Sequence, residues 1–236
     1  RLLLDSLIQQ SYFPDEVVIC DGGSTDHTLE ILGEYKQYLP MKLLVAQGAN
    51  ISQGRNLAIQ AAAGPIIAAT DAGVVLGPYW LEDLPKPIRE KAEPAVVSGW
   101  FEAAPYTDFE VVMGATVLPR RSDVDPDSFL PSSRSVAFRK EAWEAVGGYP
   151  EWLDYSEDLV FDFALRDKFG TFPFADTAVA YFRPRGNLPS FFRQYFYYAR
   201  GDGKANLWPL RHAVRYLTYL LALPMIFRFI WREKWF

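Results

Sequence analysis

Four small or β-branched apolar residues, Val17-Val18-Ile19-Cys20, run directly into Asp21-Gly22-Gly23-Ser24-Thr25-Asp26, and this junction constrains the fold more than any other stretch. An unbroken apolar run of this kind reads as a strand buried on both faces, as a parallel sheet between helix layers requires. The two glycines allow close approach to the backbone, and Ser24, Thr25 or Asp26 is suited to cap the helix that follows. Ligands of open α/β sheets collect at such strand ends, where free N–H groups and the positive helix end converge. A carboxylate at that lip, Asp21, reads as a binding group; the competing reading is an acid that merely complements a helix N-terminus.

The same grammar repeats along the chain. Arg1 to Ser11 reads as a helix closed by Phe13-Pro14, and Leu29, Leu32, Tyr35 and Leu39 mark a second helix from His27 to Leu39. Met41 to Val45 is a strand, and Gly54 to Gly64 an Ala-rich helix stopped by Gly64-Pro65. Ile66 to Thr70 is another buried strand that ends on an acid, Asp71-Ala72-Gly73. An irregular helix with internal prolines follows from Pro78 to Arg89, then a strand at Ala95 to Gly99. Phe101 to Asp127 lacks a clear period and is expected to form a long loop or short helices over the site, as a lid. Beyond it come a strand (Ser135 to Arg139), a short helix (Lys140 to Val146), the turn Gly147-Gly148-Tyr149, a helix entered through Ser156-Glu157-Asp158, and a strand at Ala178 to Tyr181. Ser156 is expected to cap that helix, which places both acids in its first turn.

Composition narrows the function classes. One cysteine in 236 residues excludes a disulfide framework, and two distant histidines, His27 and His212, give no zinc cluster. Charge is unevenly spread: from Arg183 onward there are ten Lys/Arg against two Asp/Glu, whereas residues 1–182 carry fourteen against twenty-seven. An acidic body with a basic, aromatic tail points to an anionic partner surface, foremost phospholipid. RNA binding uses the same residue types, but these aromatics adjoin an apolar run, so no nucleic-acid partner is expected. The opening Arg1-Leu2-Leu3-Leu4 already lies inside a helical pattern, and the sequence reads as one lacking its beginning.

The strand ending Asp21-Gly-Gly-Ser-Thr-Asp, then Gly54-Arg55-Asn56 with Ala61 and Gly64, then Thr70-Asp71-Ala72-Gly73 resemble, in order and spacing, the nucleotide-sugar-binding half of family-2 glycosyltransferases. The Gly147-Gly148-Tyr149 turn followed by Glu157-Asp158 at a helix start resembles the acceptor side of the same family. The resemblance covers Leu3 to Arg200 and implies an α/β fold of GT-A (Rossmann-like) type. That fold has a mostly parallel sheet flanked by helices, here with the first strand missing. It divides the chain into a glycosyltransferase domain at 1–204 and a membrane-associated helical tail at 205–236.

The resemblance also implies roles. Asp158 would be the base that deprotonates an acceptor hydroxyl, with Glu157 as its orienting partner or the alternative base. Donor-binding groups would be Asp21, Gly23, Arg55 and Asp71, with Arg55 bridging to Asp21 or a phosphate. The competing reading makes Glu157 and Asp158 simple helix-dipole acids. Relatives typically carry Asp-x-Asp at the second strand end, binding Mg²⁺ or Mn²⁺; here Gly73 replaces the second acid, and Phe182-Arg183 stands where a histidine ligand is expected. Either Asp71 alone holds a metal weakly, or cationic side chains replace it. Arg183, Arg193 and Arg200 are the foremost candidates for stabilising the leaving diphosphate, with Arg185 and Lys204 beside them.

Gln194 is not followed by the Gln-x-x-Arg-Trp signature of processive synthases, so transfer of one sugar is expected. The donor would be of UDP or GDP type, the acceptor a glycan or a lipid-linked glycan, and the anomeric centre would invert. Competing readings are a non-catalytic nucleotide-sugar-binding scaffold and a nucleotidyltransferase, though the latter needs an acid pair that Gly73 breaks. The apolar stretch from Tyr216 to Phe227, bracketed by Arg215 and Arg228 and interrupted by Pro224, is short for a bilayer span. It is read as interfacial or re-entrant, or as the start of a membrane region, with Trp231, Trp235 and Phe236 as interfacial anchors; a helix buried in the domain is the competing reading. The expected location is the cytoplasmic face of the cell membrane, peripheral or anchored through the C-terminus.

Overall fold

The computed structural model describes residues 1–233, with side chains to residue 231, so Trp235 and Phe236 lie outside the described residues. In order, the elements are α1 (Leu2–Ile8), β1 (Val17–Asp21), α2 (Thr28–Tyr35), β2 (Met41–Val45), α3 (Ile51–Ala61), β3 (Ile66–Ala69) and β4 (Val74–Leu76). They continue with α4 (Trp80–Asp83), α5 (Lys86–Glu90), β5 (Val96–Ala103), α6 (Asp108–Val117), a 3₁₀ turn at Arg121–Asp123, β6 (Val136–Arg139) and α7 (Lys140–Ala145). The last are α8 (Glu157–Phe169), β7 (Phe174–Phe182), α9 (Leu188–Lys204) and α10 (Pro209–Glu233).

The strands form a two-stranded sheet, β1-β2, and a five-stranded sheet in the order β3-β6-β5-β7-β4. The expected mostly parallel sheet is in fact mixed. The β1–β2 and β5–β7 pairs are parallel, whereas β3–β6, β5–β6 and β4–β7 are antiparallel. An apolar run reports burial, not direction; direction follows from how the chain returns, and parallel neighbours need a long crossover. β1 and β3 do not pair with each other, yet Val17 and Ile19 of one and Ile66 and Ala68 of the other pack on the same core. That core holds Leu4 and Leu7 of α1, Leu32 and Tyr35 of α2, Trp80 and Ala137. A second cluster joins Ile59, Phe138, Tyr149, Phe161 and Leu165 behind the sheet. Each fully buried side chain of this size contributes about 1.5–3 kcal/mol.

Two boundaries differ from expectation for local reasons. α3 begins at Ile51, three residues before Gly54, because Asn50 and Gln53 form a reciprocal capping box. α2 begins at Thr28, whose N–H donates to the Asp26 carboxylate at 3.0 Å, so Asp26 rather than Ser24 or Thr25 receives the helix start. The stretch expected as a long loop or short helices, 101–127, extends β5 to Ala103 and then forms the ten-residue α6, capped by the Thr107 hydroxyl, and a 3₁₀ turn. The apolar residues of α6 lie all round the helix, with Val111 and Val112 exposed, so no face shows up as a period.

α9 and α10 are joined by residues 205–208, and Trp208 there packs edge-to-face on Phe163 of α8, with ring centroids 5.5 Å apart. α10 runs unbroken through Pro224. The apolar stretch is therefore longer than Tyr216 to Phe227: Pro209–Trp231, 23 residues with mean hydropathy 1.4, is long and apolar enough to cross a membrane. None of it is buried against the domain, which removes the reading of α10 as a core helix. Proline is tolerated in such helices because the carbonyl it frees finds other partners.

Candidate active site

The first two turns of α3 organise the site because three of their polar side chains bond to one loop. The Asn50 amide donates to the Glu151 carbonyl at 2.7 Å, and the Ser52 hydroxyl to the Leu153 carbonyl at 3.1 Å. Asn56 donates to the Tyr149 carbonyl at 2.9 Å, while its own oxygen accepts from the Tyr149 N–H at 2.9 Å and from the Trp143 indole at 3.1 Å. Gly147 and Gly148 both have φ near +80° (80° and 77°), and a Cβ on Gly148 would lie 2.8 Å from the Asn56 oxygen. Glycine is required there by conformation and by space. This clasp brings the Gly-Gly-aromatic turn against the Gly54-Arg55-Asn56 segment, two motifs about ninety residues apart.

Arg55 is the hub. Its guanidinium donates through Nη1 to Glu157 Oε1 at 2.5 Å and through Nη2 to Asp71 Oδ1 at 2.6 Å, and it stacks over the Tyr149 ring at 5.2 Å. Only 15% of its side chain is exposed. Burial alone would lower its basicity, but the negative charges of Asp71 and Glu157 outweigh this and hold it cationic. Arg55 thus bridges Asp71 and Glu157, not Asp21 as expected.

The first turn of α8 carries the acids. Ser156 adopts a left-handed backbone, φ 62° and ψ 16°, and does not cap the helix. Its hydroxyl instead donates to Asp202 of α9 at 2.8 Å. A non-glycine residue held there is strained and needs surrounding structure to fix it; α9 supplies it, for a Cβ on Gly201 would strike the Tyr155 carbonyl. Glu157 is buried, and burial followed by repulsion from Asp158 raises its carboxyl above the ordinary range against the pull of Arg55. Asp158 is half-buried and accepts from the Leu159 N–H at 2.9 Å. Burial raises its carboxyl too, while Arg55, that N–H and Arg134 oppose the rise and Asp71 adds to it. One turn on, Asp162 is 2% exposed with one oxygen lacking a hydrogen-bond partner among the described residues, and burial drives its carboxyl well up.

The other expected residues fall into two groups. Asp21, at the end of β1, is buried and accepts from the Gly23 and Ser24 N–H groups at 2.9 and 2.8 Å and from the Ser24 hydroxyl at 2.6 Å. These bonds hold its carboxyl below the usual range. Gly23 permits the turn with φ 104°, and the Gln47 side chain lies across it. Cys20 of the same strand end lies 4.0 Å from where a Gly54 Cβ would be, so β1 ends beside the start of α3, though Asp21 makes no bond to Arg55. Arg183, by contrast, is tied to the wholly buried Glu110 of α6, at 2.9 Å from Nε and 2.8 Å from Nη2, and lies over the Tyr106 ring. That pairing keeps the Glu110 carboxyl low. Arg200 is 3.8 Å from Asp154 and stacks on Tyr197, and Arg193 is exposed on α9 without a bond among the described residues. The structure therefore joins Arg55, Asp71, Glu157 and Asp158, and engages Arg183 and Arg200 elsewhere.

One cation at the site had no sequence signal. The antiparallel register ends with Ala69 opposite Val136, and just beyond it Arg134 comes beside Thr70 and Asp71. The Thr70 hydroxyl donates to the Arg134 carbonyl at 2.9 Å, and Arg134 Nε lies 3.9 Å from Asp71 Oδ2. Only the pairing of β3 with β6, 64 residues later, reveals it.

A divalent cation does not fit the groups present. Gly73 supplies no ligand, both oxygens of Asp71 face guanidinium groups, and no cluster of three His, Cys, Asp or Glu suited to a metal exists among the described residues. Mg²⁺ or Mn²⁺ held by one or two carboxylates and substrate phosphates still needs a free carboxylate oxygen, and Asp71 has both of its oxygens turned to guanidinium groups.

A family model described as glycosyl transferase family 2 matches residues 1–133, which include Asp21, Arg55 and Asp71. The chain is 26% identical over 200 residues to the succinoglycan biosynthesis protein ExoA of Rhizobium meliloti, covering 80% of this chain and 60% of that protein. It is 32% identical over 85 residues to the validoxylamine A glucosyltransferase of Streptomyces hygroscopicus subsp. limoneus, covering 34% of this chain and 19% of that protein. The crystal structure of S. aureus TarS 1-349 in complex with UDP superposes with a TM-score of 0.63 at 21% identity, covering 82% of this chain and 58% of that one. The chain thus spans less than two thirds of the proteins it matches, and the structural likeness carries the GT-A-like α/β fold.

Proposed function

The chain belongs to glycosyl transferase family 2, and from that premise we propose that it moves one sugar from a nucleoside-diphosphate donor to a hydroxyl of a glycan or lipid-linked acceptor, inverting the anomeric centre. The observation that carries this reading is the joining of Asp71, at a strand end, to the first turn of α8 through Arg55, beside Asp158, whose carboxyl burial raises against the opposing pull of Arg55 and Arg134. In the proposed step, Asp158 takes the acceptor hydroxyl proton and the hydroxyl oxygen forms a bond to the anomeric carbon. The bond from that carbon to the diphosphate oxygen breaks, its electron pair leaving with the nucleoside diphosphate. Asp21 and Gly23 are assigned to the nucleoside end of the donor, and Glu157 to fixing Arg55.

The uridine-type donor is favoured by the UDP bound to TarS, and the polysaccharide acceptor by the succinoglycan assignment of ExoA. α10, with Arg211, Arg215 and Arg228 along an apolar helix, suits attachment to the anionic cytoplasmic face of a membrane.

The test is Asp158→Asn. Transfer is expected to fall about 10²- to 10⁴-fold, with donor binding, followed by tryptophan fluorescence, kept. Transfer at the wild-type rate would remove Asp158 from the chemistry, whereas donor binding without transfer by wild type itself would favour the non-catalytic reading.

A further inference from the structure

A departing diphosphate carries more negative charge than it does within the intact donor, so its site must offer preorganised positive charge. The strand-end residues present do not suit a divalent cation, so the charge has to come from side chains. Their bonding states decide which one. Arg55 has both Nη atoms committed to carboxylates and is almost closed to solvent. Arg183 is bound by Glu110, on a different element from the acids of α8. Arg200 faces Asp154.

Arg134 is different. It lies in the turn just before β6, its carbonyl accepts from the Thr70 hydroxyl, and its plane is set by Phe182, whose ring lies 4.7 Å from the guanidinium carbon. Nη1 donates to the Ser132 hydroxyl at 3.1 Å and Nε stands at the longer distance of 3.9 Å from Asp71. Nη2 has no protein partner among the described residues, and about a quarter of the side chain (24%) is open to solvent. The group is therefore oriented in advance, lies at the same strand end as Asp71, and keeps donor capacity. A planar guanidinium matches two phosphate oxygens at once, which an ammonium does not.

We propose that Arg134, rather than a divalent cation, receives the diphosphate of the nucleotide-sugar donor. The proposal rests on the transferase reading above, and it replaces Arg183, Arg193 and Arg200 in that role. A salt-assisted contact of this kind, made by the diphosphate and not by the nucleoside, has a clear thermodynamic signature in binding alone.

The experiment compares binding of uridine, guanosine and their diphosphates to the full chain by calorimetry, with EDTA in excess. Wild type is expected to bind one diphosphate about 10- to 100-fold more tightly than its nucleoside, the range of a hydrogen-bonded charged group. Arg134→Met should bring that ratio close to one and leave nucleoside affinity unchanged, and Arg134→Lys should restore part of it. If the Met variant does not fold, as judged by near-UV circular dichroism, the Lys variant decides, and an undiminished ratio there overturns the proposal. A ratio that survives in Arg134→Met, or that arises in wild type only when Mn²⁺ or Mg²⁺ is added, overturns the proposal and leaves the transferase reading standing. Wild type that prefers no diphosphate under either condition overturns both.

Discussion

Replacing Arg55 by methionine should cost far more stability than an ordinary surface ion pair, because both acids that Arg55 bonds are shielded from water. Glu157 is 7% and Asp71 29% exposed at the side chain, and Arg55 itself 15%. Removing one partner from a buried ionic network leaves uncompensated charge and costs about 3–5 kcal/mol. For a chain of this size, with a urea slope near the upper end of the usual 1–3 kcal/mol/M, that is a midpoint lower by roughly 1–2 M urea. The loss also has a pH signature. Burial and Asp158 already make Glu157 harder to ionise in the folded state, and Arg55 is what opposes this. Without Arg55 the folded carboxyl rises further, so ionisation favours unfolding as pH climbs from the ordinary carboxylate range to the folded value. The variant should therefore differ most from wild type at neutral pH and converge on it as the medium is acidified and Glu157 protonates. Urea titrations of both proteins at neutral and mildly acidic pH measure this directly. A cost independent of pH, or one that grows on acidification, would refute the assignment of Arg55 as the counter-ion of Glu157.

Two further outcomes follow from the same physics. Asp162→Asn should resist urea better than wild type at pH 8, since the buried Asp162 carboxyl ionises less readily folded than unfolded and an amide cannot ionise; the advantage should vanish toward pH 4, and a variant weaker than wild type at pH 8 would mean that Asp162 has a charged partner. Ending the chain at residue 213, which keeps His212 beside Asp202, should leave the thermal midpoint of the domain within a few degrees of wild type, because Val214 onward is not buried against it. The same shortening should abolish co-sedimentation with anionic liposomes, and undiminished sedimentation would place the membrane contact on α9 instead.

Much of the site was legible before any coordinates, because its residues sit at places where local chemistry is distinctive. A carboxylate followed by small residues (Gly22-Gly23 after Asp21, Ala72-Gly73 after Asp71) at the end of an apolar run marks both acids; two acids after Ser156 mark a helix start. What did not show was α6, whose apolar residues face all sides, and the bonding of the distal arginines. Arg183 reads as a free cation in sequence, yet its partner Glu110 lies 73 residues earlier inside a helix without visible period. Ser156 reads as a cap, and its hydroxyl turns to Asp202 because α9 packs against that turn.

By itself, then, the sequence determined most of the segments that become strands and helices and which acids stand at their ends, since propensity, capping and burial patterns act over a few residues. Only the tertiary structure decided strand direction, the partner of each arginine and the place of Arg134. Those depend on which distant segments pair, and an ionic bond between residues 55 and 157 or 71 and 134 leaves no trace in the local order of either.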